Sequence, residues 1–204
     1  MIRVGIGGWT YEPWRGPFYP EKLPKTKELS HASRRVTSIE VNGTFYSTFT
    51  PSTFRRWAEE TPDDFIFSLK APRYAVNRRV LAEAGPSIDK FFGSGVEELK
   101  SKLGPILWQL APTKKYDAED IAAFIELLPK SIDDLKLRHV LEVRNESFRS
   151  ADFIAQIRKA NIAVVLVDSE KYPLIADLSA DFVCLCAAAK CKSRHGNRLQ
   201  RQGA

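Results

Sequence analysis

Six short apolar runs in this chain of 204 residues each stop at a polar or ionisable side chain. Their ends carry Thr10, Glu40 with Asn42, Lys70, Gln109, Glu142 with Arg144, and Asp168. Paired carboxylates can share acid and base roles in glycoside or related chemistry when they sit roughly 5–9.5 Å apart, which makes Glu40 and Glu142 the pair of interest. A lysine and an arginine beside them would donate charge-assisted hydrogen bonds to an anion. Glu40, Glu142 and Asp168 are the candidate catalytic groups; the same three carboxylates could hold Mg²⁺ or Mn²⁺. No dedicated metal site and no organic cofactor is expected. The plainer alternative is that Glu142 merely pairs with Lys70 or Arg144, since buried charges must be paired.

Those residues need elements that carry them to one place. The runs RVGIGGWT, SIEVNGTFY, FIFSLKAP, ILWQLAP, HVLEVRNESF and IAVVLVD read as strands: nearly continuous Val, Ile and Leu marks a buried parallel strand. They are expected at 3–8, 36–42, 65–71, 105–111, 140–144 and 162–167, with a seventh beginning at Asp181. Helices are expected at 26–35, 52–60, 76–84, 87–103, 117–128 and 151–160, from caps, breakers and helical spacing of apolar residues. Regular alternation of strand and helix implies an α/β fold with a parallel sheet. Ionisable groups at one end of successive strands indicate a TIM-like (β/α) barrel, whose site lies at the C-terminal ends of the strands. Residues two apart in a strand share a face, so Glu40 should join Asn42, and Glu142 should join Arg144. The expected pocket accepts an anionic or hydroxylated ligand, and its binding residues are Trp9, Tyr11, Asn42, Tyr46, Lys70, Arg73, Gln109, Arg144 and Asn145.

The net charge of +6 invites a nucleic-acid reading, but its origin is local. Lys190, Lys192, Arg194, Arg198 and Arg201 occupy the last 15 residues with no acid among them; without them, 26 basic residues face 25 acidic ones. Cys184, Cys186 and Cys191, with His195 nearby, form a cluster whose one-residue spacer departs from the usual zinc-ligand spacing. Residues 1–9 are too short and too glycine-rich for a signal peptide, and no apolar run nears the ~20 residues of a membrane span, so a cytoplasmic protein without a membrane partner is expected.

A second function stays open beside the enzyme. Trp9, Tyr11, Trp14, Phe18 and Tyr19 follow the first strand; Phe45, Tyr46 and Phe49 follow the second. They either cap the core or form a stacking platform for sugars or bases. Arg15, Arg73, Arg78 and Arg79 lie in loops on the same side and could meet phosphates. Aromatics interleaved with arginine suit single-stranded nucleic acid better than a duplex.

Four landmarks in order, GIGGWTYEPWRGPFYP, SIEVNGTFYSTFTPSTFRRWAEETPDDFIFSLKAPR, KLGPILWQLAP and LEVRNESF, resemble the YecE-like family of bacterial and archaeal proteins, a domain-of-unknown-function family. The resemblance spans 5–182. It implies a TIM barrel, and some members of the family have been likened in shape to the endonuclease IV and sugar-isomerase branch of such barrels. The chain departs from the family pattern at Asn77 and Asn145, where many members carry histidine. It also lacks the Tyr-x-Arg-Leu strand and Gly-Tyr element expected after Val183. A one-base displacement of one legal codon spelling restores both elements. The expectation is therefore a barrel domain over 1–183, incomplete at its C-terminal end, followed by a frameshifted, disordered basic tail over 184–204.

Overall fold

Apolar side chains alternate along the strands in a way that sorts them onto two faces. The computed structural model describes residues 1–187. Its elements are β1 (Gly5–Gly7), α1 (Glu28–Ala32), β2 (Ser38–Val41), α2 (Gly43–Tyr46), α3 (Pro51–Glu60), β3 (Ile66–Lys70), α4 (Arg73–Val76) and α5 (Gly85–Phe92). They continue with β4 (Leu103–Gln109), α6 (Ala118–Glu126), β5 (Ser131–Ile132), β6 (Leu135–Lys136), β7 (His139–Glu142), α7 (Ala151–Lys159), β8 (Ala163–Asp168) and β9 (Cys184–Ala187). Seven strands form one parallel sheet in the order β1-β2-β3-β4-β7-β8-β9. It curls into an open barrel with helices outside, as the strand–helix alternation requires. Among the described residues the curl does not close: β1 and β9 are its edges.

Ile39, Val41, Phe67, Leu69, Ile106, Trp108 and Leu141 face outward and pack with Phe54 and Trp57 of α3, Ile121 and Phe124 of α6, and Phe153 and Ile157 of α7. Leu107, Val140, Ala163, Val165 and Val167 form a separate, smaller cluster inside the curl. The opposed parity of the two sets fixes which side chains can reach the interior.

Local chemistry explains most boundaries. Asp117 accepts hydrogen bonds from the amides of Glu119 and Asp120 (3.1 and 3.0 Å) and so starts α6. Lys102, nearly sealed from solvent, donates to the carbonyls of Ala58 and Thr61 (2.6 and 2.7 Å), a cation on the exit of α3. Gly104 lies beside a shift in the β3–β4 register, and a Cβ there would come 2.3 Å from Ile66 Cγ2.

The helix expected over 87–103 is two pieces. It stops at Phe92, passes Gly93-Ser94-Gly95 with Gly95 at φ 99°, and resumes as a 3-10 segment Val96–Lys102 kinked at Lys100. Glycine flexibility outweighs the helical spacing there. The stretch 26–35 yields a 3-10 turn and the five-residue α1, and 76–84 holds only the end of α4 and a 3-10 turn. The β5–β6 hairpin was not foreseen; Asp133 at φ 48° makes its turn. The seventh strand begins at Cys184, three residues later than expected, so the first four residues assigned to the tail are paired with β8. The remainder of the expected tail, 188–204, lies outside the described residues.

One buried polar pair holds the outer core. Trp108 Nε1–H donates to His139 Nδ1 at 3.0 Å, which leaves the ring proton on Nε2 to donate to the Pro129 carbonyl at 2.7 Å. Burial lowers the His139 pKa below its ordinary 6.5, an effect only partly offset by the Pro129 bond. A neutral folded imidazole gives stability that is fully present above pH 6.5 and is lost as pH falls through the lower folded value. His139→Ala should cost about 2 kcal/mol by stranding the Trp108 donor, and should flatten this acid limb in urea unfolding followed by tryptophan fluorescence.

Candidate functional site

Interior parity brings four strand ends together. Val140 lies in the inner cluster, so Glu142, two residues on, faces inward as well. The β4–β7 register sets Gln109 opposite Glu142, and the β3–β4 register sets Lys70 opposite Leu107. Glu40 pairs with Ser68 and shares the face of Lys70. Glu40, Lys70, Gln109 and Glu142 therefore meet inside the curl, at the C-terminal ends of β2, β3, β4 and β7. Arg144 joins them from just beyond β7.

The two carboxylates stand in different conditions. Glu142 is 3% exposed. Its Oε1 accepts from Arg144 Nε at 2.6 Å and its Oε2 accepts from Gln109 Nε2 at 2.7 Å. Glu40 makes no ion pair and no side-chain hydrogen bond among the described residues. Burial raises its pKa above the ordinary 4.5; the charges of Lys70 and Arg144 pull it down, and Glu142 pushes it up. Lys70 likewise has no carboxylate partner among the described residues; its ammonium sits 5.0 Å from the centre of the Phe45 ring. Thr44 donates to the carbonyls of Val41 and Lys70 (2.8 and 2.7 Å) and so ties α2 to the end of β3. A carboxyl without a hydrogen-bonding partner, whose neutral form is favoured by burial and which stands beside two cations, is placed for proton transfer to a bound anion.

The remaining expected residues are scattered. Asp168 is exposed and has the parity of Val164, which packs outward, so it does not join Glu40 and Glu142. Asn145 donates to the Pro112 carbonyl (2.8 Å) and accepts from the Ser147 amide (3.1 Å), a loop clamp with both ends used. Trp9 packs edge-on against Trp57, and Tyr11 packs on Trp14 while its hydroxyl donates to the Gly7 carbonyl. Asn42 sits at the start of α2 without capping it. Gly7 leaves room for its amide; a Cβ there would lie 3.2 Å from Nδ2. Tyr46 and Arg73 are exposed, in α2 and at the start of α4.

Tyr172 escaped the sequence reading, and Cys184 and Cys186 were read there only as members of a cysteine–histidine cluster. Tyr172, from the coil between β8 and β9, lies over the Arg144 guanidinium at 4.5 Å. Cys184 and Cys186 pair with Val165 and Val167 and so share the inner parity. Burial first, then the charge of Glu40, pushes the Cys184 thiol up to about 12; burial followed by Glu142 raises Cys186. Their two-residue spacing was the available strand signal. The other members of the cysteine–histidine cluster, Cys191 and His195, lie outside the described residues. Among the described residues, no three His, Cys, Asp or Glu side chains are arranged to hold a metal ion, and no helix is long and apolar enough to cross a membrane. Two surface clefts, ≈ 440 and ≈ 340 Å³, lie elsewhere, beside α7 and below β2.

A curled parallel sheet with outer helices and ionisable groups at its C-terminal strand ends defines a TIM-like α/β protein. The chain belongs to the DUF72 family, "Protein of unknown function DUF72", whose family model matches residues 3–197. It is 26% identical over 161 residues to UPF0759 protein YunF of Bacillus subtilis, covering 76% of this chain and 55% of that protein. It is also 26% identical over 151 residues to UPF0759 protein YecE of Escherichia coli K12, covering 72% and 50%. The chain thus spans about half the length of the curated relatives it matches. Among solved structures, a DUF72 family protein (TM1631) from Thermotoga maritima superposes with a TM-score of 0.76 at 21% identity, over 94% of this chain and 76% of that one. A DUF72 family protein (EF0366) from Enterococcus faecalis gives 0.72 at 17% identity, over 92% and 70%. These two likenesses support the fold.

The two glutamates should respond oppositely to mutation. Glu142→Ala should cost about 3 kcal/mol by stranding Arg144. Glu40→Gln should be neutral or stabilising at pH 7. Because folding raises the Glu40 pKa, its contribution is fully present below pH 4.5 and is lost as pH rises through the folded value. Urea titrations from pH 4 to 8 should show that decline in the wild type and a flatter profile in Glu40→Gln.

Proposed function

We propose that the inner face at the C-terminal strand ends binds an anionic, hydroxylated small molecule, phosphorylated or sugar-containing, and that Glu40 acts on it as general acid. Lys70 and Arg144 hold the anion, and Glu142 with Gln109 positions Arg144. One observation carries this reading: Glu40 and Lys70 lie inside the curl without a carboxylate–ammonium contact, although burying charge without a partner is costly. A purely structural pair would have closed. Glu142 has both oxygens engaged and Asp168 faces away, so the chemistry relies on proton transfer rather than on Mg²⁺ or Mn²⁺ held by the three carboxylates. The site would work in the cytoplasm.

Single-stranded nucleic acid is the second reading, favoured by exposed Arg73 and Tyr46 near the mouth. Two of its expected contacts are already used. Arg15 bonds Glu28 (2.6 Å) and the Leu23 carbonyl (2.7 Å), and Arg78 bonds Ser87 (2.8 Å). Salt-insensitive oligonucleotide binding, or none, would remove it.

A panel of sugar phosphates scored by thermal shift tests the first reading. A ligand at about 100 times its Kd should add about 2.7 kcal/mol of stability to the wild type. Lys70→Ala should lose that gain, whereas Glu40→Gln should keep it and lose turnover. A panel that shifts nothing, or shifts Lys70→Ala equally, contradicts the proposal.

A further inference from the structure

Arg144 is held in a way that dictates how a ligand can meet it. Its Nε–H is spent on Glu142 Oε1 at 2.6 Å, and Glu142 is itself fixed by Gln109. Its guanidinium carbon lies over the Tyr172 ring, 4.5 Å from the ring centre. The two terminal Nη groups have no partner among the described residues, and the side chain keeps 24% of its surface open. A guanidinium tethered at Nε and packed against an aromatic ring has its Nη edge left to offer, and that edge presents parallel N–H donors.

We propose that Tyr172 and Glu142 lock Arg144 so that its Nη edge grips two oxygens of one oxyanion, with Lys70 as the second cation. This makes Tyr172 a positioning residue of the site. The inference rests on the pocket proposed above and narrows its ligand to one bearing a phosphate or carboxylate group. A ligand that stacks a planar ring on the guanidinium would compete with Tyr172 for the face. An oxyanion in the guanidinium plane does not. The position of Tyr172 matters as much as its ring: Pro173 follows it and constrains its backbone toward extended conformations, which limits the ways it can swing off Arg144.

Inorganic phosphate titrated into the full chain, followed by ³¹P line broadening, tests this, with acetate as the second probe, read by its competition with phosphate. Arg144→Lys keeps the charge and loses the fork; it should weaken phosphate about tenfold. Tyr172→Leu should weaken it about fivefold through loss of the roof, and Tyr172→Phe should match the wild type. Acetate bound more tightly than phosphate would assign a carboxylate ligand; the reverse order would assign a phosphate ligand. Arg144→Lys and Tyr172→Leu binding phosphate like the wild type, while Lys70→Ala does not, would overturn this inference and leave the pocket standing. Wild-type protein that binds neither anion would overturn both.

Discussion

Glu142 is an ionisable group with almost no access to water, and a carboxylate in that position has to be satisfied by donors from the protein. The donors come from two directions that the fold supplies. Gln109 stands opposite it across the β4–β7 register, and Arg144 follows it by two residues on the same face. Once both oxygens are bonded, Glu142 is a fixed post, and Arg144 is held by it. The consequence reaches across the curl. Glu40 feels the charge of Glu142 without sharing its donors, so burial and like charge together favour its neutral form. Two carboxylates of similar sequence context thus stand in different conditions, one bonded to a cation and one with its neutral form favoured.

The rest of the molecule maintains that arrangement. Parallel pairing sets the strand ends level, and the outer core of Phe54, Trp57, Phe67, Trp108, Phe124 and Phe153 keeps the sheet curled against its helices. The Trp108–His139 bond fixes the start of β7, from which Val140 and Glu142 take their inward parity. Lys102 ties the exit of α3 to the start of β4. Thr44 anchors α2 to the end of β3, beside Lys70. The stability of these distant contacts and the geometry at the mouth are therefore linked through strand register.

Much of the fold was legible because buried parallel strands write themselves as continuous apolar runs, and the strands expected at 36–42, 65–71, 105–111 and 140–144 carried near their ends the groups that converge. The limits were equally physical. IAVVLVD is apolar on both faces, so alternation could not show that Asp168 has the outward parity of Val164. Cross-strand register is not a local property, which is why Gln109 was recognisable as a candidate but not as the partner of Glu142. Asn145 looks like a binding residue until its loop geometry shows both ends engaged. Tyr172 stands in a coil without periodicity, and nothing along the chain links it to Arg144. Cys184 and Cys186 carried a strand spacing, but the basic stretch after them masked it.

The proposed division of labour between the two glutamates rests on Glu40 holding its proton more tightly than an ordinary side-chain carboxyl. The most direct test is a ¹³C NMR titration of its carboxyl carbon, assigned by comparison with Glu40→Gln. Glu40 should titrate above 4.5, and it should move higher still in Lys70→Met, because Lys70 is the strongest charge pulling its pKa down. A midpoint at or below 4.5, unmoved by Lys70→Met, would mean that Glu40 is a solvated or paired carboxylate, and the assignment of acid chemistry to it would be wrong.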